Sequence, residues 1–530
     1  MELFPITLPK SNICTETELY YRASQPVQYE EQAGQFTLKR KTVLTLDTYF
    51  NCFSYQKYLQ YTSAQVLEVH LQLQGQFQIR LLKAQLEGKN VRRAVLLTQQ
   101  VQQERLMDTV LLYDFSRESG NGFLYLELTA LSKQAVFGGG FYASPIAEER
   151  LQPAKIAAVI CTYQREAYVQ RNLHHLAQTI FAAPEQEAAQ HLEVFVVDNG
   201  KTLQREEIET SHVRLFPNKN CGGSGGFTRG IIEALRRKAE FSHVLLMDDD
   251  ILLESNVLIK TIRFLQILRP EHQDLAIGGS MLRLDQMNVQ HEAGGKWTGY
   301  KVKTSRANID LRQVKNVLQN EQFEQNDFCG WWYLLIPLSL IDESNLPMPY
   351  FIKNDDIEYG LRVTKKLDFL NGIGVWHEPF EKKLALPLEY YYMRNILITN
   401  MVHEESVWNS IYMLIRRVGK CLVRRNYSAA KIPLQAVNDA LAGFDDFLQV
   451  RSDLFHKELT VICKEYDLNK KEKVGFIKTG VILLWYCIKL FLKYPSVKTE
   501  YQARYREACS NENWCRLLEI HENYEITQFI

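Results

Sequence analysis

The sequence predicts three parts in order along the chain: an all-β sandwich, an α/β domain with a mostly parallel sheet, and an all-α domain. Apolar and polar residues alternate up to about residue 145, apolar strands alternate with helical stretches from Pro153, and no strand-like run persists after about residue 388. A chain of 530 residues is also too long for one hydrophobic core. We therefore predict domains at 1–150, 151–387 and 388–530.

The first part is predicted to be a β-sandwich. Apolar residues alternate with polar ones over 67–73 and again over 77–81, and the intervening Gln-Gly-Gln at 74–76 is predicted to be the turn of a hairpin. Residues 43–46 and 123–128 have the composition of further strands. A series of short strands of this kind is typical of a sandwich.

The central part follows a strand–helix–strand pattern. Apolar segments at 156–160, 192–197 and 244–247 predict buried strands, and the stretches 169–180 and 226–239 are predicted to be helical. In parallel sheets of this type, ligands bind at the carboxyl ends of the strands. Three polar clusters follow the predicted strands and are expected to converge there: Cys161-Thr162-Tyr163, Asp198-Asn199-Gly200 and Asp248-Asp249-Asp250.

Three adjacent carboxylates, Asp248, Asp249 and Asp250, end the third of these strands. A divalent cation would relieve their repulsion, because carboxylate oxygens suit Mg²⁺ or Mn²⁺. The alternative is that Asp250 caps a helix beginning at Ile251 while its neighbours are solvated. Alternate residues of an extended segment face the same side, so Asp248 and Asp250 are the expected ligands and Asp249 is expected to take no part.

A glycine-rich stretch at 218–230 precedes the third strand. Its five glycines near a helix start would let backbone N–H groups approach a phosphate or a sugar closely. The stretch lacks the Gly-Lys-Ser/Thr ending of a P-loop, and it does not stand at the first strand–helix turn as a dinucleotide-binding fingerprint does. A flexible loop is the alternative, but the position between two acid-ended strands favours ligand contact.

Further polar clusters follow in the second half of the central part. Asp355-Asp356 stands where a helix is expected to start, so Asp355 is an N-cap or the pair supplies a general base. His377 is a candidate third metal ligand, although a single histidine is more often a structural residue. Trp331 and Trp332 belong either to the core or to the floor of a sugar site.

Composition argues against an electrostatic attraction to nucleic acid, since 62 basic and 62 acidic residues give no formal net charge. The ten cysteines form no Cys-x-x-Cys pair, which is typical of reduced thiols in a cytosolic protein. Residues 1–5 do not show the basic region followed by an apolar run that begins a signal peptide, so no signal peptide is predicted. We therefore expect a cytoplasmic protein with no nucleic-acid partner.

The apolar segment 474–494 raises the question of a membrane contact. Lys478, Lys489 and Lys493 interrupt it, and its longest uncharged run, 479–488, is about half the roughly 20 residues that a spanning helix needs. Two interpretations stay open at this point. The segment is either an amphipathic helix resting on a bilayer surface or a helix buried in the C-terminal bundle.

Taken together, these motifs resemble the inverting family 2 glycosyltransferases of the GT-A fold, and more closely the bacterial galactofuranosyltransferases within that family. The resemblance extends over essentially the whole chain. It rests on the order and spacing of seven motifs: Cys161-Thr162-Tyr163-Gln164-Arg165, Asp198-Asn199-Gly200, the glycine-rich stretch, Asp248-Asp249-Asp250, Trp331-Trp332, Asn354-Asp355-Asp356 and Trp376-His377.

The resemblance implies a function for individual residues and a cofactor, Mn²⁺ or Mg²⁺. It implies four groups of site residues: metal ligands Asp248, Asp250 and His377; the catalytic base Asp356; uridine diphosphate contacts Thr162, Arg165, Asp198, Asn220 and Asp248; and sugar or acceptor contacts Trp331, Trp332, Glu292 and Asp355. One position departs from the family pattern. Relatives have Trp-Asp-Asp where this chain has Asn354-Asp355-Asp356, which bears on acceptor choice rather than on the base.

The implied reaction is the inverting transfer of galactofuranose from UDP-galactofuranose to a glycan hydroxyl in the synthesis of bacterial surface polysaccharide. The resemblance also implies a lipid-linked acceptor and a peripheral location at the inner membrane face, and a homo-oligomer is compatible with it. Three alternatives stay open: transfer from another UDP-sugar, a nucleotidyltransferase, and a non-catalytic carbohydrate-binding scaffold. A nucleotidyltransferase would need a basic glycine-rich loop at the first strand–helix turn, where residues 162–165 are Thr-Tyr-Gln-Arg.

Overall fold

The computed structural model describes residues 1–182, 187–379, 386–449, 452–464 and 475–520. Its N-terminal region is one antiparallel sheet of nine strands with a short helix against it. The elements are β1 (Glu2–Pro5), β2 (Arg22–Ala23), β3 (Gln28–Glu30), β4 (Gln35–Lys39), β5 (Val43–Thr45), α1 (Tyr55–Tyr61), β6 (Val66–Glu87), β7 (Asn90–Asp114), β8 (Gly122–Ala130) and β9 (Gln134–Ala143).

The predicted hairpin at 67–81 is wrong, because this segment belongs to the single 22-residue strand β6. Strand β6 pairs with β7 along its whole length, with β9 over its first half and with β8 over its second half. Gly75 is not a turn residue but a bulge, where the register shifts and φ is +95°. The true turn of the hairpin lies between Glu87 and Asn90.

The central region contains a ten-stranded mixed sheet with helices packed on it. Its strands are β10 (Ile156–Thr162), β11 (Leu192–Asp198), β12 (Val213–Pro217), β13 (His243–Asp248), β14 (Leu252–Leu253), β15 (Ala276–Arg283), β16 (Val289–Glu292), β17 (Gly295–Trp297), β18 (Val302–Thr304), β19 (Ile309–Asp310), β20 (Leu334–Pro337) and β21 (Leu367–His377); β17 and β18 form a separate ribbon. Its helices are α2 (Glu166–Thr179), α3 (Glu187–Gln190), α4 (Arg205–Ile208), α5 (Gly222–Arg236), α6 (Asn256–Gln266), α7 (Val314–Gln319) and α8 (Asp355–Val363).

The order and register of the central sheet bring the polar strand ends together. Strands β12, β11, β10 and β13 are adjacent and parallel, whereas β20 runs antiparallel to β13. Thr162 lies opposite Asp198, and Cys161 lies opposite Asp248. Strand β21 runs parallel to β15 and ends at His377. The polar residues that end these strands therefore share one edge of the sheet.

The glycine-rich stretch is a helix rather than a loop. Gly222 begins α5, and several of the glycines are buried. A methyl group on Gly226 would overlap the Sγ of Cys161, and one on Gly230 would overlap the side chain of Val159. The glycines thus let α5 lie directly against β10, a packing requirement that the composition alone did not reveal.

Alanine at Gly226 should therefore destabilise the protein. We expect Gly226→Ala to lower the free energy of unfolding by roughly 1–3 kcal/mol, the usual cost of overpacking. Gly419 in the C-terminal region is the matched control, because nothing lies within 4 Å of the position its Cβ would take. Gly419→Ala should raise the free energy of unfolding by about 0.5–1 kcal/mol. Urea denaturation measures both changes, and equal effects would contradict this packing assignment.

The C-terminal region is helical, as predicted. Its helices are α9 (Leu386–Val402), α10 (Val407–Val423), α11 (Lys431–Ala440), α12 (Phe444–Gln449), α13 (Ser452–Lys464), α14 (Phe476–Ala508) and α15 (Asn511–Leu518). Helices α11 and α12 are separated by a short turn that contains Gly443, whose φ is +122°. No helix of the described residues has the length and apolarity needed to cross a bilayer.

The N-terminal and central regions share one continuous hydrophobic core. Tyr58 of α1 packs edge-on against Phe264 of α6, and the ammonium of Lys260 lies 3.9 Å from the ring centroid of Phe4. The C-terminal helices form a second core, except for α15, whose Trp514 and Leu518 belong to the first. The topology therefore changes near residue 150, but the hydrophobic core does not divide there.

Candidate active site

Two carboxylates and one imidazole meet at the polar edge of the central sheet. The Nε2 atom of His377 lies 3.0 Å from Oδ1 of Asp250 and 3.7 Å from Oδ2 of Asp248. One ligand atom from each of the three residues lies within 4.8 Å of the others. Two carboxylate oxygens and an imidazole nitrogen fit Mn²⁺ or Mg²⁺, with Mn²⁺ the more tolerant of the nitrogen ligand.

The hydrogen bond on the other face of the His377 ring fixes which nitrogen is available. Nδ1 lies 2.7 Å from the carbonyl oxygen of Glu378, and a carbonyl can only accept, so Nδ1 carries a proton. Nε2 is then the nitrogen that faces the two carboxylates. This is the arrangement found in metal-binding histidines, where a second partner orients the ring.

Asp249 faces away from this cluster. Its carboxylate accepts hydrogen bonds from the Thr162 hydroxyl at 2.7 Å and from Arg165 at 3.2 Å, and Arg165 also donates to Asp250 at 2.8 Å. The backbone carbonyl of Asp249 accepts a hydrogen bond from the amide of Asn172. Asp249 thus ties the candidate metal site to the end of β10 and to α2.

A second pair of carboxylates, Asp355 and Asp356, begins helix α8. Asp355 accepts a hydrogen bond of 2.9 Å from the Ser224 hydroxyl of α5. Burial raises the pKa of Asp356 to about 7, and the charges of Asp355 and Asp248 add to the rise. Burial also raises the pKa of Asp355. The pair therefore contains a carboxylate that can accept a proton near neutral pH.

The loop before Asp355 is held in an unusual conformation. Phe351, Lys353 and Asn354 all have φ near +70°, a region that non-glycine residues rarely adopt. The Asn354 amide donates to the hydroxyl of Thr399 at 2.6 Å, and Asn395 donates to the carbonyls of residues 352 and 353. Helix α9 therefore holds this loop. Asparagine tolerates left-handed backbone better than tryptophan does, which gives a physical reason for Asn354.

The central region matches a known protein family. Residues 153–379 match the family described as Glycosyltransferase like family 2. The protein is a glycosyltransferase with a family 2 domain. Such a domain implies the GT-A fold, in agreement with the mixed sheet observed here.

Two relatives resemble most of the glycosyltransferase chain. The galactofuranosyltransferase GlfT2 of Mycobacterium tuberculosis is 26% identical over 470 residues, which cover 83% of this chain and 70% of GlfT2. GlfT2 of Mycolicibacterium smegmatis is 24% identical over 479 residues, which cover 84% and 70%. A Clostridium thermocellum xylanase 10B structure with CBM22-1 and GH10 modules aligns at 8% identity over 38% of each chain, with a TM-score of 0.19, and carries no inference.

Two of the expected donor contacts of the glycosyltransferase domain shape its loops. The Asp198 carboxylate accepts hydrogen bonds from the backbone N–H groups of Gly200, Thr202 and Leu203. The Asn220 side chain accepts one from the N–H of Gly222 at the start of α5. Both residues thus fix backbone segments at the same sheet edge as the candidate metal site.

The paired tryptophans of the glycosyltransferase domain are both buried. Trp332 donates its indole N–H to the carbonyl of Gly279 at 2.8 Å. The ring of Trp331 packs edge-on against Phe227 of α5, with 5.1 Å between centroids, and also edge-on against Tyr359 of α8, with 6.2 Å between centroids. Trp332 is thus anchored in the core, whereas Trp331 packs between α5, the helix of the glycine-rich stretch, and α8, the helix that contains Asp356.

Glu292 ends strand β16 and is nearly buried. Its charge and that of Asp356 both raise the pKa of the buried Cys329 thiol, after the larger effect of burial itself. Cys329 therefore lies near both carboxyl groups. In the sheet register Glu292 lies opposite Met281 of β15.

Sequence reasoning missed several residues that support this site. Ser224 binds Asp355, Asn172 binds the Asp249 carbonyl, and Asn395 and Thr399 hold the loop before α8. One signal was present in the sequence of α9, which is largely apolar but contains four polar residues that are buried: Arg394, Asn395, Thr399 and Asn400. Buried polar residues require partners, so they indicate a hydrogen-bonded structure at that position.

Proposed function

We propose that the protein is an inverting, metal-dependent galactofuranosyltransferase that uses UDP-galactofuranose. The observation that supports this most strongly is that α5 connects the two groups: its Ser224 binds Asp355, and its Gly226 packs on Cys161, which lies opposite Asp248 of the metal cluster. A transferase of this type needs one group to stabilise a departing diphosphate and another to deprotonate an acceptor. The choice of galactofuranose rests on the similarity to the two GlfT2 proteins.

In the proposed reaction, Asp356 accepts the proton of an acceptor hydroxyl. The acceptor oxygen attacks the anomeric carbon as the bond to the UDP oxygen breaks on the opposite face, which inverts the configuration. Mn²⁺ or Mg²⁺ bound by Asp248, Asp250 and His377 would neutralise charge on the diphosphate. No enzyme nucleophile is needed, and no covalent intermediate forms.

We assign the remaining site residues to the two substrates. Thr162, Arg165, Asp198 and Asn220 are donor contacts at the diphosphate and uridine, where Arg165 is already held beside Asp250 at 2.8 Å. The sugar and acceptor contacts proposed on the other side are Trp331, Trp332, Glu292 and Asp355. Because Trp332 is anchored to Gly279, we expect it to support the sugar site from the core and Trp331 to lie nearer the sugar.

The proposed donor is tested with a panel of UDP-sugars in the presence of Mn²⁺ and a galactan acceptor. We expect release of UDP with UDP-galactofuranose and much less with UDP-galactopyranose or UDP-glucose. Preferred use of another UDP-sugar would overturn the donor assignment while leaving the transferase assignment intact. In a parallel assay with UTP and a sugar 1-phosphate, release of pyrophosphate would identify a nucleotidyltransferase. Glycan binding without release of UDP or pyrophosphate in either assay would identify a binding scaffold.

The raised pKa of Asp356 predicts the pH dependence of transfer. A general base acts only when deprotonated, so kcat should fall as the pH drops through that raised pKa, near neutrality rather than near pH 4. Asp355→Asn removes a neighbouring negative charge and should move this acid limb to lower pH. A pH profile of kcat for both proteins measures the shift. If the acid limb of the pH profile lies at the same pH in both proteins, the charge of Asp355 does not raise the pKa of the base.

The other regions are assigned by their position. We propose that residues 1–150, which are built on one nine-stranded sheet, contact glycan or another subunit, that 151–387 are the catalytic domain, and that 388–530 support the acceptor side. The support for the last assignment is that α9 holds the loop before Asp355. We also propose a lipid-linked glycan as acceptor and a peripheral location at the inner membrane face.

A further inference from the structure

Two neighbouring helices of the C-terminal region expose an unusual number of large apolar side chains. On α10 the first three of these side chains lie three or four residues apart and the fourth lies about two turns further on, and most of those on α14 have the three- or four-residue spacing, so each helix presents an apolar stripe. We call these side chains the apolar face: Trp408, Tyr412, Ile415 and Val423 of α10, and Ile477, Val481, Leu484, Trp485, Ile488, Phe491 and Leu492 of α14.

The two stripes lie side by side. Helices α10 and α14 are antiparallel neighbours, since Tyr494 bonds the carbonyl of Glu405 at one end and Gly475 lies against the ring of Tyr427 at the other. The rings of Trp408 and Phe491 are in contact, with 5.6 Å between centroids. The apolar face is therefore one surface about 20–25 Å long, at 1.5 Å per helical residue. Soluble monomers rarely expose a surface of this kind without a partner.

The two segments that carry the apolar face are basic, with Glu404, Glu405 and Glu500 lying just outside them. Residues 407–425 contain five basic residues and 475–499 contain four, and neither segment contains an acidic residue, although the whole chain has equal numbers of both. Arg417 pairs with Glu389, and Lys489 donates to Asn438. Six basic side chains of these segments are exposed: Arg416, Lys420, Arg424, Arg425, Lys478 and Lys493.

We propose that the apolar face docks on the surface of a bilayer containing anionic lipid. Aromatic and aliphatic side chains would enter the boundary between headgroups and acyl chains, while the surrounding lysines and arginines contact lipid phosphates. A second copy of the chain fits less well, because a symmetric dimer through this face would bring two basic rims together. The resulting contact is peripheral.

The position of the face also links the bilayer to the active site. Helix α9 packs against both α10 and α14 and forms the hydrogen bonds that hold the loop before Asp355. A docked protein would thus have its proposed acceptor base supported by the same helical bundle that contacts the lipid. This arrangement suits an acceptor anchored in the membrane, although the docking itself does not depend on which sugar is transferred.

Vesicle sedimentation tests the proposal on the full chain. Wild-type protein should sediment with vesicles of equimolar phosphatidylcholine and phosphatidylglycerol, and less with phosphatidylcholine alone or at high salt. Leu484→Gln with Leu492→Gln should weaken binding by at least about tenfold. Arg416→Gln with Lys420→Gln should weaken binding to the anionic vesicles by about fivefold per charge removed. Both variants change exposed residues and should keep UDP-sugar turnover on a water-soluble acceptor.

Leu112→Gln is the matched control, since Leu112 of β7 is 61% exposed and Leu484 is 63% exposed. Unchanged binding by Leu112→Gln together with weakened binding by the Leu484 and Leu492 variant supports the proposal. Failure of the wild type to bind anionic vesicles would overturn it, as would equal binding by all variants. If the Leu484 and Leu492 variant had a lower oligomer mass than wild type on ultracentrifugation but bound vesicles equally well, the face would be an interface between copies of the chain instead.

Discussion

Replacing Asp356 with asparagine should abolish sugar transfer while leaving UDP binding intact. The side chain keeps its shape but loses the ability to accept a proton from the acceptor hydroxyl. General-base catalysis is worth about 100- to 10,000-fold in rate, so kcat should fall by that factor. Radiolabel transfer to a galactan acceptor measures kcat, and calorimetric titration with UDP and Mn²⁺ measures binding.

Measuring the stability of Asp356→Asn distinguishes loss of the catalytic base from loss of the folded structure. Asp356 has a pKa raised by burial and by neighbouring charges, so its ionised form destabilises the folded protein as the pH rises through that pKa. Asp356→Asn should therefore be at least as heat-stable as wild type at about pH 8. Near-normal turnover by this variant would mean that another group is the base.

Removing a ligand from the candidate metal site should reduce sugar transfer by a factor similar to that expected for Asp356→Asn. Asp250→Ala and His377→Ala each take away one of three donors that lie within 4.8 Å of one another. Outer-shell changes alone cost about 10- to 100-fold in metal affinity, so loss of a ligand should exceed that range. Electron paramagnetic resonance of Mn²⁺ measures binding directly, without relying on turnover.

A distant carboxylate provides the control for this prediction. Asp274 is exposed and paired with Lys366, so Asp274→Asn should leave both Mn²⁺ binding and transfer unchanged. Partial rescue of the Asp250 variant by excess Mn²⁺ would support a ligand function. Wild-type Mn²⁺ affinity in both ligand variants would place the cation elsewhere.

The sequence was most informative where a short repeating pattern of apolar and polar residues determines the local structure. Apolar strands ending in polar residues predicted a common edge, and the strand register brings Thr162 beside Asp198 and Cys161 beside Asp248. Two-residue alternation predicted that Asp248 and Asp250 share a side, and Asp249 does face Thr162 and Arg165 instead.

The sequence was least informative where tertiary packing decides local structure. Gly75 has the composition of a turn, but pairing on both edges of β6 makes it a bulge. The glycines of α5 are needed because the helix lies against β10, a contact between distant segments. The left-handed backbone at Asn354 depends on hydrogen bonds from α9, 40 or more residues further along the chain. No local pattern contains that information.

The stereochemistry of the product tests the proposed mechanism most directly. One displacement without an enzyme nucleophile must invert the anomeric centre, so UDP-α-galactofuranose should give a β-linked galactofuranosyl product. Proton NMR of the product made with Mn²⁺ identifies the anomer from its coupling pattern. A β linkage that disappears with Asp356→Asn is the result we predict. An α linkage would require a double displacement or a different attacking geometry and would contradict the mechanism.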